Sequence, residues 1–258
     1  MHIIDAHVHC GTMDTEINNL SQVYEDIAPC FDEAGVNAAV CFSPVMEIYD
    51  RHDREFEDND SWRERRKQSR EYLLDLKDRD LPHKIHPFYF VWNDFEADGI
   101  DGYCGIKWHR HANEPIYHYD DPACARMIQS IRDHDYVVLI EEEHEHTMRF
   151  VDELAEGVPV IIPHLGYLNG SFDRLFAEDF WRRPNTYADL SGGSAIKAPE
   201  NPRKFLDRYG PEKLIFGSDY PCAMPIQHVN MVTDLGLPDA DLELIYSGNI
   251  LRLLRNVD

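Results

Sequence analysis

Histidine, lysine and acidic residues stand at the ends of five apolar runs of this sequence. The runs end in DAHVH at residues 5–9, GIKWH at 105–109, IEEEH at 140–144, PHLG at 163–166 and FGSDYP at 216–221. Imidazole nitrogens and carboxylate oxygens are ligands that suit zinc, manganese and iron. The residue types therefore predict a site for a divalent metal ion, provided that the fold brings these five ends together.

The first of these segments places His7 and His9 one residue apart. Residues i and i+2 of a β-strand point to the same face, so both imidazoles can reach one ion. The spacing is weak evidence by itself, because two surface histidines produce it equally well. It becomes strong evidence only with matching residues at the other four run ends.

Eight short apolar runs alternate with amphipathic segments, and each run predicts a β-strand. They cover about residues 2–6, 36–42, 85–91, 102–107, 136–141, 158–163, 185–190 and 213–218. Continuously apolar runs are typical of parallel strands that are covered on both faces. Eight strand–helix repeats in 258 residues favour an α/β fold, the (β/α)8 TIM barrel, in which active sites form at the carboxyl ends of the strands. We expect one barrel domain over residues 1–258.

Two connections differ from the regular repeat. Residues 43–84 are long and highly charged, which predicts a loop over the barrel mouth followed by a helix over about 61–80. Residues 94–101 leave room for only a turn or two of helix. We therefore expect a slight distortion of the barrel around strands three and four.

The composition argues against several classes of function. The chain has 48 acidic and 25 basic residues and a net charge of −23, which repels nucleic acid and anionic membranes. No apolar run has the length of a membrane span, and the N-terminus lacks the pattern of a signal peptide. We expect a cytoplasmic protein with a small-molecule substrate, without nucleic-acid or membrane partners, and with homo-oligomerisation left open.

The six cysteines do not indicate a zinc knuckle or a redox motif. No two of them have CxxC spacing, and several lie in apolar strand patterns, where cysteine behaves as a small apolar residue. We expect reduced structural thiols.

The segments DAHVH, GIKWH, PHLG and FGSDYP, in this order, resemble the amidohydrolase superfamily and specifically its amidohydrolase-2 branch. The resemblance extends from Ile4 to Pro221. It implies a barrel enzyme in which His7 and His9 bind a divalent ion. It also implies that Asp219 binds the ion and takes a proton from metal-activated water, while His164 is a ligand or the general acid–base group.

The fifth strand departs from this family pattern, which usually has histidine where this sequence has Glu141. A carboxylate still binds metal, but it favours a harder ion such as manganese over a strict preference for zinc. His144, three residues later, is an alternative ligand. The resemblance thus implies one or two zinc or manganese ions per chain, and the substitution leaves a metal-free lactonase as an alternative.

Lys107, in the GIKWH segment, has three interpretations. It bridges two metal ions as a carbamate, as in binuclear relatives, or it anchors the substrate, or it forms an ion pair with Glu141 or a neighbour. His109, His144 and Asn169 are further candidates for substrate binding.

The function implied by the resemblance is hydrolysis of a small lactone, ester or amide that carries a carboxylate. Metal-activated water attacks, and Asp219 acts as the general base. A non-oxidative decarboxylase with the same metal site is the first alternative. A metal-free lactonase and a catalytically inactive barrel are the others.

Overall fold

The computed structural model of the chain describes residues 1–15, 17–167 and 172–257. Eight parallel strands form one sheet in sequence order. The strands are β1 (Ile4–His9), β2 (Ala38–Phe42), β3 (Lys84–Phe90), β4 (Gly105–His109), β5 (Val138–Glu141), β6 (Val160–Ile162), β7 (Thr186–Asp189) and β8 (Leu214–Ile215).

The last strand returns to the first, so that the sheet curves into a nearly closed barrel. The amide of Ala6 donates to the carbonyl of Phe216 at 3.0 Å, and the amide of His9 donates to that of Tyr220 at 3.0 Å. All eight predicted strands are present, and the predicted (β/α)8 barrel is confirmed.

Helices follow the strands and cover the outside of the sheet. They are α1 (Tyr24–Ala34), α2 (Asp60–Asp78), α3 (Pro122–Asp133), α4 (His144–Arg149), α5 (Phe172–Ala177), α6 (Gly192–Lys197), α7 (Glu200–Tyr209), α8 (Pro225–Asp234), α9 (Asp239–Glu243) and α10 (Asn249–Leu253). Two π-helical turns, Phe150–Leu154 and Leu244–Gly248, continue α4 and α9. Across the described residues, no helix has both the length and the apolar character that a bilayer crossing requires.

Local sequence signals explain several helix ends. The Asn59 side chain caps α2 by accepting a hydrogen bond from the amide of Trp62 at 3.1 Å. Asp121 caps α3 in the same way, and Pro122 occupies the first helical position. Helix α1 ends at Gly35, whose positive φ of 70° suits a residue without a side chain.

The irregular connections behave largely as the sequence predicts. A short 3-10 turn (Val45–Glu47) precedes α2, and another (Ala97–Gly99) replaces a full helix between β3 and β4. The pairing of β3 with β4 is nevertheless regular. The predicted distortion of that region is therefore confined to the connection, and the strand irregularity lies in β1.

The register of β1 shifts between Asp5 and Val8, which changes the residues that face the barrel interior. Ile4 and Ala6 pack in an inner apolar cluster, whereas Val8 packs in the outer cluster between sheet and helices. The shift turns His7 toward Phe42 of the inner cluster, with ring centroids 5.0 Å apart. A regular strand would have directed Val8 inward in its place.

Candidate active site

Six side chains converge at the carboxyl ends of the strands, and each belongs to a residue that is at most 5% exposed. They are His7, His9, Lys107, Glu141, His164 and Asp219. The Oδ1 atom of Asp219 lies 3.3 Å from Nε2 of His9 and 3.5 Å from Nε2 of His7. On the other side, Oδ2 of Asp219 lies 4.0 Å from Nε2 of His164. The barrel thus brings together all five predicted metal ligands and Lys107.

Two of these side chains depend on unusual backbone conformations just beyond their strands. His164 has a φ of 55° in the turn Pro163–Gly166, and Asp219 has a φ of 68° after β8. The left-handed region is unfavourable for residues other than glycine. The amide of Asp219 donates to the carbonyl of His7 at 2.8 Å, which holds the carboxylate beside the histidines of β1.

The electrostatics favour an ionised Asp219. Burial would raise the pKa of Asp219, but His164, His9 and His7 outweigh it and hold that pKa well below its usual value. Burial alone would lower the pKa of His164, yet Glu141 and Asp219 raise it to about 9. Burial and the charge of Lys107 lower the pKa of His7 to about 4. Near neutral pH the pocket therefore contains an anionic Asp219, a neutral His7 and a protonated His164.

Glu141 lies among three basic side chains of the site. Its Oε2 atom lies 3.4 Å from Nζ of Lys107 and 3.5 Å from Nε2 of both His109 and His164. Burial would raise the pKa of Glu141, but His109, His164 and Lys107 hold it well below the usual value. The contact between Lys107 and Glu141 is the one that the ion-pair interpretation of Lys107 expects.

The donor set of the centre fits one divalent ion. Ligand atoms of His7, His164 and Asp219 lie within 4.8 Å of one another, and His9 adds a fourth donor beside Asp219. Nδ1 of His7 lies 2.9 Å from Oδ2 of Asp189, which directs Nε2 toward the centre, as in histidines that bind metal. Two or three imidazoles with a carboxylate are a typical zinc or manganese set.

A second group of possible ligands, His109, His111 and Glu114, does not fit a cation. Nε of Arg51 donates to Glu114 at 2.8 Å, and an Nη atom of the same guanidinium lies 3.1 Å from Nδ1 of His111. A positive charge therefore already occupies this part of the mouth. The tyrosine hydroxyl of Tyr49 also donates to Glu114 at 2.7 Å.

The structure describes two of the three further candidates for substrate binding, His109 and His144. His109 is the last residue of β4 and is buried, with its Nε2 atom 3.5 Å from Glu141. His144 does not reach the centre, because it begins α4 and its Nε2 lies 3.2 Å from a carboxylate oxygen of Glu178. Asn169 lies outside the described residues.

Glu142 and Glu143, next to Glu141, do not face the centre. Arg110 donates to Glu142 at 2.8 Å and to Glu143 at 2.7 Å. Tyr119 also donates to Glu142 at 2.7 Å. These contacts tie the loops after β4 and β5 together.

Sequence reasoning missed two groups of residues in the site. Asp189 ends β7, and the same rule of polar residues at strand ends would have identified it. Tyr49 and Arg51 lie in the charged 43–84 segment, where no pattern singles them out, and they reach the site only through the folding of that loop. Buried Glu47 of the same segment accepts a hydrogen bond from the amide of Met13 at 2.7 Å, which holds the loop after β1 against it.

Known structures of similar architecture include decarboxylases and hydrolases. A 5-carboxyvanillate decarboxylase from Sphingomonas paucimobilis aligns with a TM-score of 0.68 and 13% identity, covering 98% of this chain and 99% of that one. A protein described as a probable 2-pyrone-4,6-dicarboxylic acid hydrolase from Acinetobacter baumannii, with citric acid bound, aligns with a TM-score of 0.67, 15% identity and the same coverage. An amidohydrolase from Burkholderia multivorans with bound zinc aligns with a TM-score of 0.70, 17% identity and the same coverage. Identities this low establish a common fold.

Family membership rests on the sequence itself. No protein of curated function matches the chain. A family model described as Amidohydrolase matches residues 18–255, which is most of the chain and includes all the strands after β1. The chain therefore belongs to the amidohydrolase family that this model defines, within the branch that its strand-end motifs resemble.

Proposed function

We propose that this protein is a metal-dependent hydrolase of a small organic molecule, such as a lactone, ester or amide that carries a carboxylate. The observation that supports this most directly is the position of Asp219, an ionised carboxylate buried among three imidazoles. When bound, a zinc or manganese ion supplies Lewis-acid activation of water and of the scissile carbonyl group. His7, His9 and Asp219 would hold it, with Glu141 completing the set where His164 carries the proton.

The side chains of the site supply the general base, the proton donor and the group that orients the substrate. Oδ2 of Asp219 faces away from the β1 histidines and takes the proton of the attacking water as general base. Nε2 of His164 lies within 4.0 Å of the same carboxylate and delivers a proton to the leaving group. Nζ of Lys107, buried beside Glu141, orients a substrate carboxylate.

Removing the charge of Asp219 tests the proposal. We expect Asp219→Asn to lower turnover by about 10²- to 10⁴-fold, because a general base contributes that much, while metal content stays largely intact. Hydrolysis of a panel of carboxylate-bearing lactones, esters and amides measures turnover, and elemental analysis measures the metal.

The matched control is Asp234→Asn, which changes an exposed carboxylate at the end of α8. We expect it to retain both activity and metal. Full activity of Asp219→Asn would contradict the proposed role of Asp219.

A non-oxidative decarboxylase is the second candidate, and the surroundings of His164 favour it. Its Nε2 atom lies 3.5 Å from Glu141 and 4.0 Å from Asp219, and an imidazole between two carboxylates is a suitable proton donor. In decarboxylation, the bond to the carboxylate carbon breaks with release of carbon dioxide, and a proton takes its place on the substrate carbon. The 5-carboxyvanillate decarboxylase of similar fold makes aromatic acids the first substrates to test.

The two reactions give different products from the same candidate acids. Carbon dioxide release, with one deuterium incorporated per product molecule in D2O, would establish decarboxylation. Uptake of water without carbon dioxide release would establish hydrolysis. The acidic surface, with a net charge of −23, supports a small molecule over nucleic acid as the partner in either case, and we propose a cytoplasmic location.

A further inference from the structure

Asp189 is a buried carboxylate that contacts Nδ1 of His7 and the backbone amide of His164, on the sides of these residues away from the proposed metal ion. It ends β7 and is fully buried. Its Oδ1 atom accepts hydrogen bonds from the backbone amides of His164 at 2.8 Å and Ser191 at 3.0 Å. Its Oδ2 atom lies 2.9 Å from Nδ1 of His7. Each oxygen therefore has a separate partner set.

Ser191, also fully buried, extends this contact to the second ring. Its hydroxyl donates to Oδ1 of Asp189. Its Oγ atom lies 2.9 Å from Nδ1 of His164 and 3.0 Å from Nδ1 of His7. A hydroxyl has one hydrogen, and an ionised carboxylate can only accept. Oγ must therefore act as an acceptor toward both rings.

This arrangement determines where the two imidazoles carry hydrogen. With acceptors at Nδ1, both rings have Nδ1–H, and a neutral ring then has its lone pair on Nε2. Nε2 of His7 faces Asp219 at 3.5 Å, and Nε2 of His164 faces Glu141 at 3.5 Å. His7 thus presents a lone pair to a cation. His164 can release and regain a proton at Nε2 without turning its ring.

Two glycines allow the backbone to pack closely beside these histidines. A Cβ atom at Gly192 would lie 2.6 Å from Nδ1 of His164, and one at Gly217 would lie 3.0 Å from Cβ of His7. Real side chains do not tolerate the first of these distances. The backbone of Gly192 therefore lies directly against the His164 ring, where a side chain would displace Nδ1.

We infer that Asp189 and Ser191 form one positioning unit that fixes the tautomers of His7 and His164, so that a single carboxylate prepares both the metal-binding and the proton-transferring imidazole. The roles of the two rings rest on the proposed function. The hydrogen-bond arrangement itself is independent of whether the reaction is hydrolysis or decarboxylation.

Asp189→Asn tests the hydrogen bond between Asp189 and His7. The backbone amides of His164 and Ser191 require an acceptor, so the asparagine oxygen stays with them and its NH2 group faces Nδ1 of His7. His7 then carries its hydrogen on Nε2 and loses the inward lone pair. We expect zinc affinity, measured by competition with a chelator, to fall about 10- to 100-fold. Proton–nitrogen correlation spectra of ¹⁵N-histidine-labelled metal-free protein should show the changed tautomer, with the resonance assigned by His7→Gln.

Ser191→Ala tests the hydrogen bond between Ser191 and His164. It leaves Asp189 in contact with His7. We expect zinc affinity to stay close to that of the wild type, while kcat falls about 10- to 100-fold with little change in KM. Above the pKa of His164, which is about 9, its resonances, assigned by His164→Gln, should no longer show a single Nδ1–H tautomer. Ser247→Ala, which removes a buried hydroxyl outside the site, is the control and should leave all three readouts unchanged.

The inference is overturned if Ser191→Ala and Asp189→Asn leave both tautomers as in the wild type. It is also overturned if either variant loses activity only in proportion to a loss of folded protein. If Asp189→Asn does not fold, Ser191→Ala still decides the inference through the His164 tautomer. An incorrect proposed function would appear separately, as wild-type protein without turnover, and the tautomers and zinc affinities would remain measurable.

Discussion

Glu141 is the buried carboxylate at the end of β5, and its contacts show what a carboxylate does at this position. It lies 3.4 Å from Lys107, 3.5 Å from His164 and, through its other oxygen, 2.7 Å from Nε2 of His111. Lys107 also stacks over the ring of Phe42 at 4.5 Å. The Glu141 carboxylate therefore acts as a counterion shared by Lys107, His164 and the partly exposed His111.

We expect Glu141→Gln to destabilise the metal-free protein by about 3 kcal/mol, because removing one partner leaves buried positive charge uncompensated. Urea unfolding in the presence of a chelator measures the loss. Glu156→Gln, at an exposed position after the π-helical turn, is the matched control and should change the free energy of unfolding by less than about 0.5 kcal/mol. Equal stability of the two variants would show that Glu141 is not needed as a counterion.

Among the elements, the strands do more than supply side chains at their carboxyl ends. The register shift of β1 directs His7 inward, and the left-handed turn after β6 directs His164.

Strand β3 carries His86 in its first half, where it is 3% exposed and its Nδ1 has no partner among the described residues. Burial and the charges of Lys84 and Lys77 lower the pKa of His86 to about 4. That imidazole contributes a pH dependence of stability at a position separate from the site.

The sign of this dependence follows from the lowered pKa. Between pH 6.5 and about 4, the unfolded chain binds a proton at His86 and the folded protein does not, so stability falls as the pH falls. From pH 7.5 to pH 5 the loss from this residue is about 2 kcal/mol. We expect His86→Gln to reduce the wild-type loss by about that amount in urea titrations at the two pH values. His118→Gln, at an exposed histidine, should leave the difference as it is. An unchanged pH dependence in His86→Gln would contradict the lowered pKa.

At the scale of the whole molecule, the proposed metal ligands come from opposite ends of the chain. His7 and His9 belong to β1, and Asp219 follows β8, the strand that closes the barrel. Three backbone hydrogen bonds already join these segments, among them the one from Asp219 to His7. An ion bound to all three side chains would therefore stabilise the closure of the barrel as well as supply chemistry.

We expect zinc or manganese at about 100 times its dissociation constant to stabilise the protein by about 2.7 kcal/mol. For a chain of this size that corresponds to a rise in Tm of about 5–10 °C, measured by calorimetry against protein treated with a chelator. His9→Gln should lose most of the rise, whereas His118→Gln should retain it. A Tm that does not respond to either ion in the wild type would count against a metal site and favour a metal-free enzyme.

The sequence by itself determined the barrel, the order of its strands and the central residues of the site. This was possible because apolar runs and strand-end polar residues are local patterns, and a (β/α)8 barrel brings every strand end to one mouth. The tertiary structure alone decided which of those residues meet. His144 contacts Glu178 and not the centre of the site, and His109 is buried at the end of β4. Arg51 belongs to a loop without any recognisable sequence pattern and contacts Glu114.

The features that a sequence pattern does not encode share one physical cause. The tautomers of His7 and His164 depend on Asp189 and Ser191, which lie more than 20 residues away along the chain from either ring. The register shift of β1 depends likewise on pairing with both β2 and the segment after β8. Hydrogen-bond partners and pKa values are properties of the assembled pocket, because each depends on distances between strands that are remote in sequence. Residue types thus predicted a metal site, and only the fold determined how its imidazoles are held.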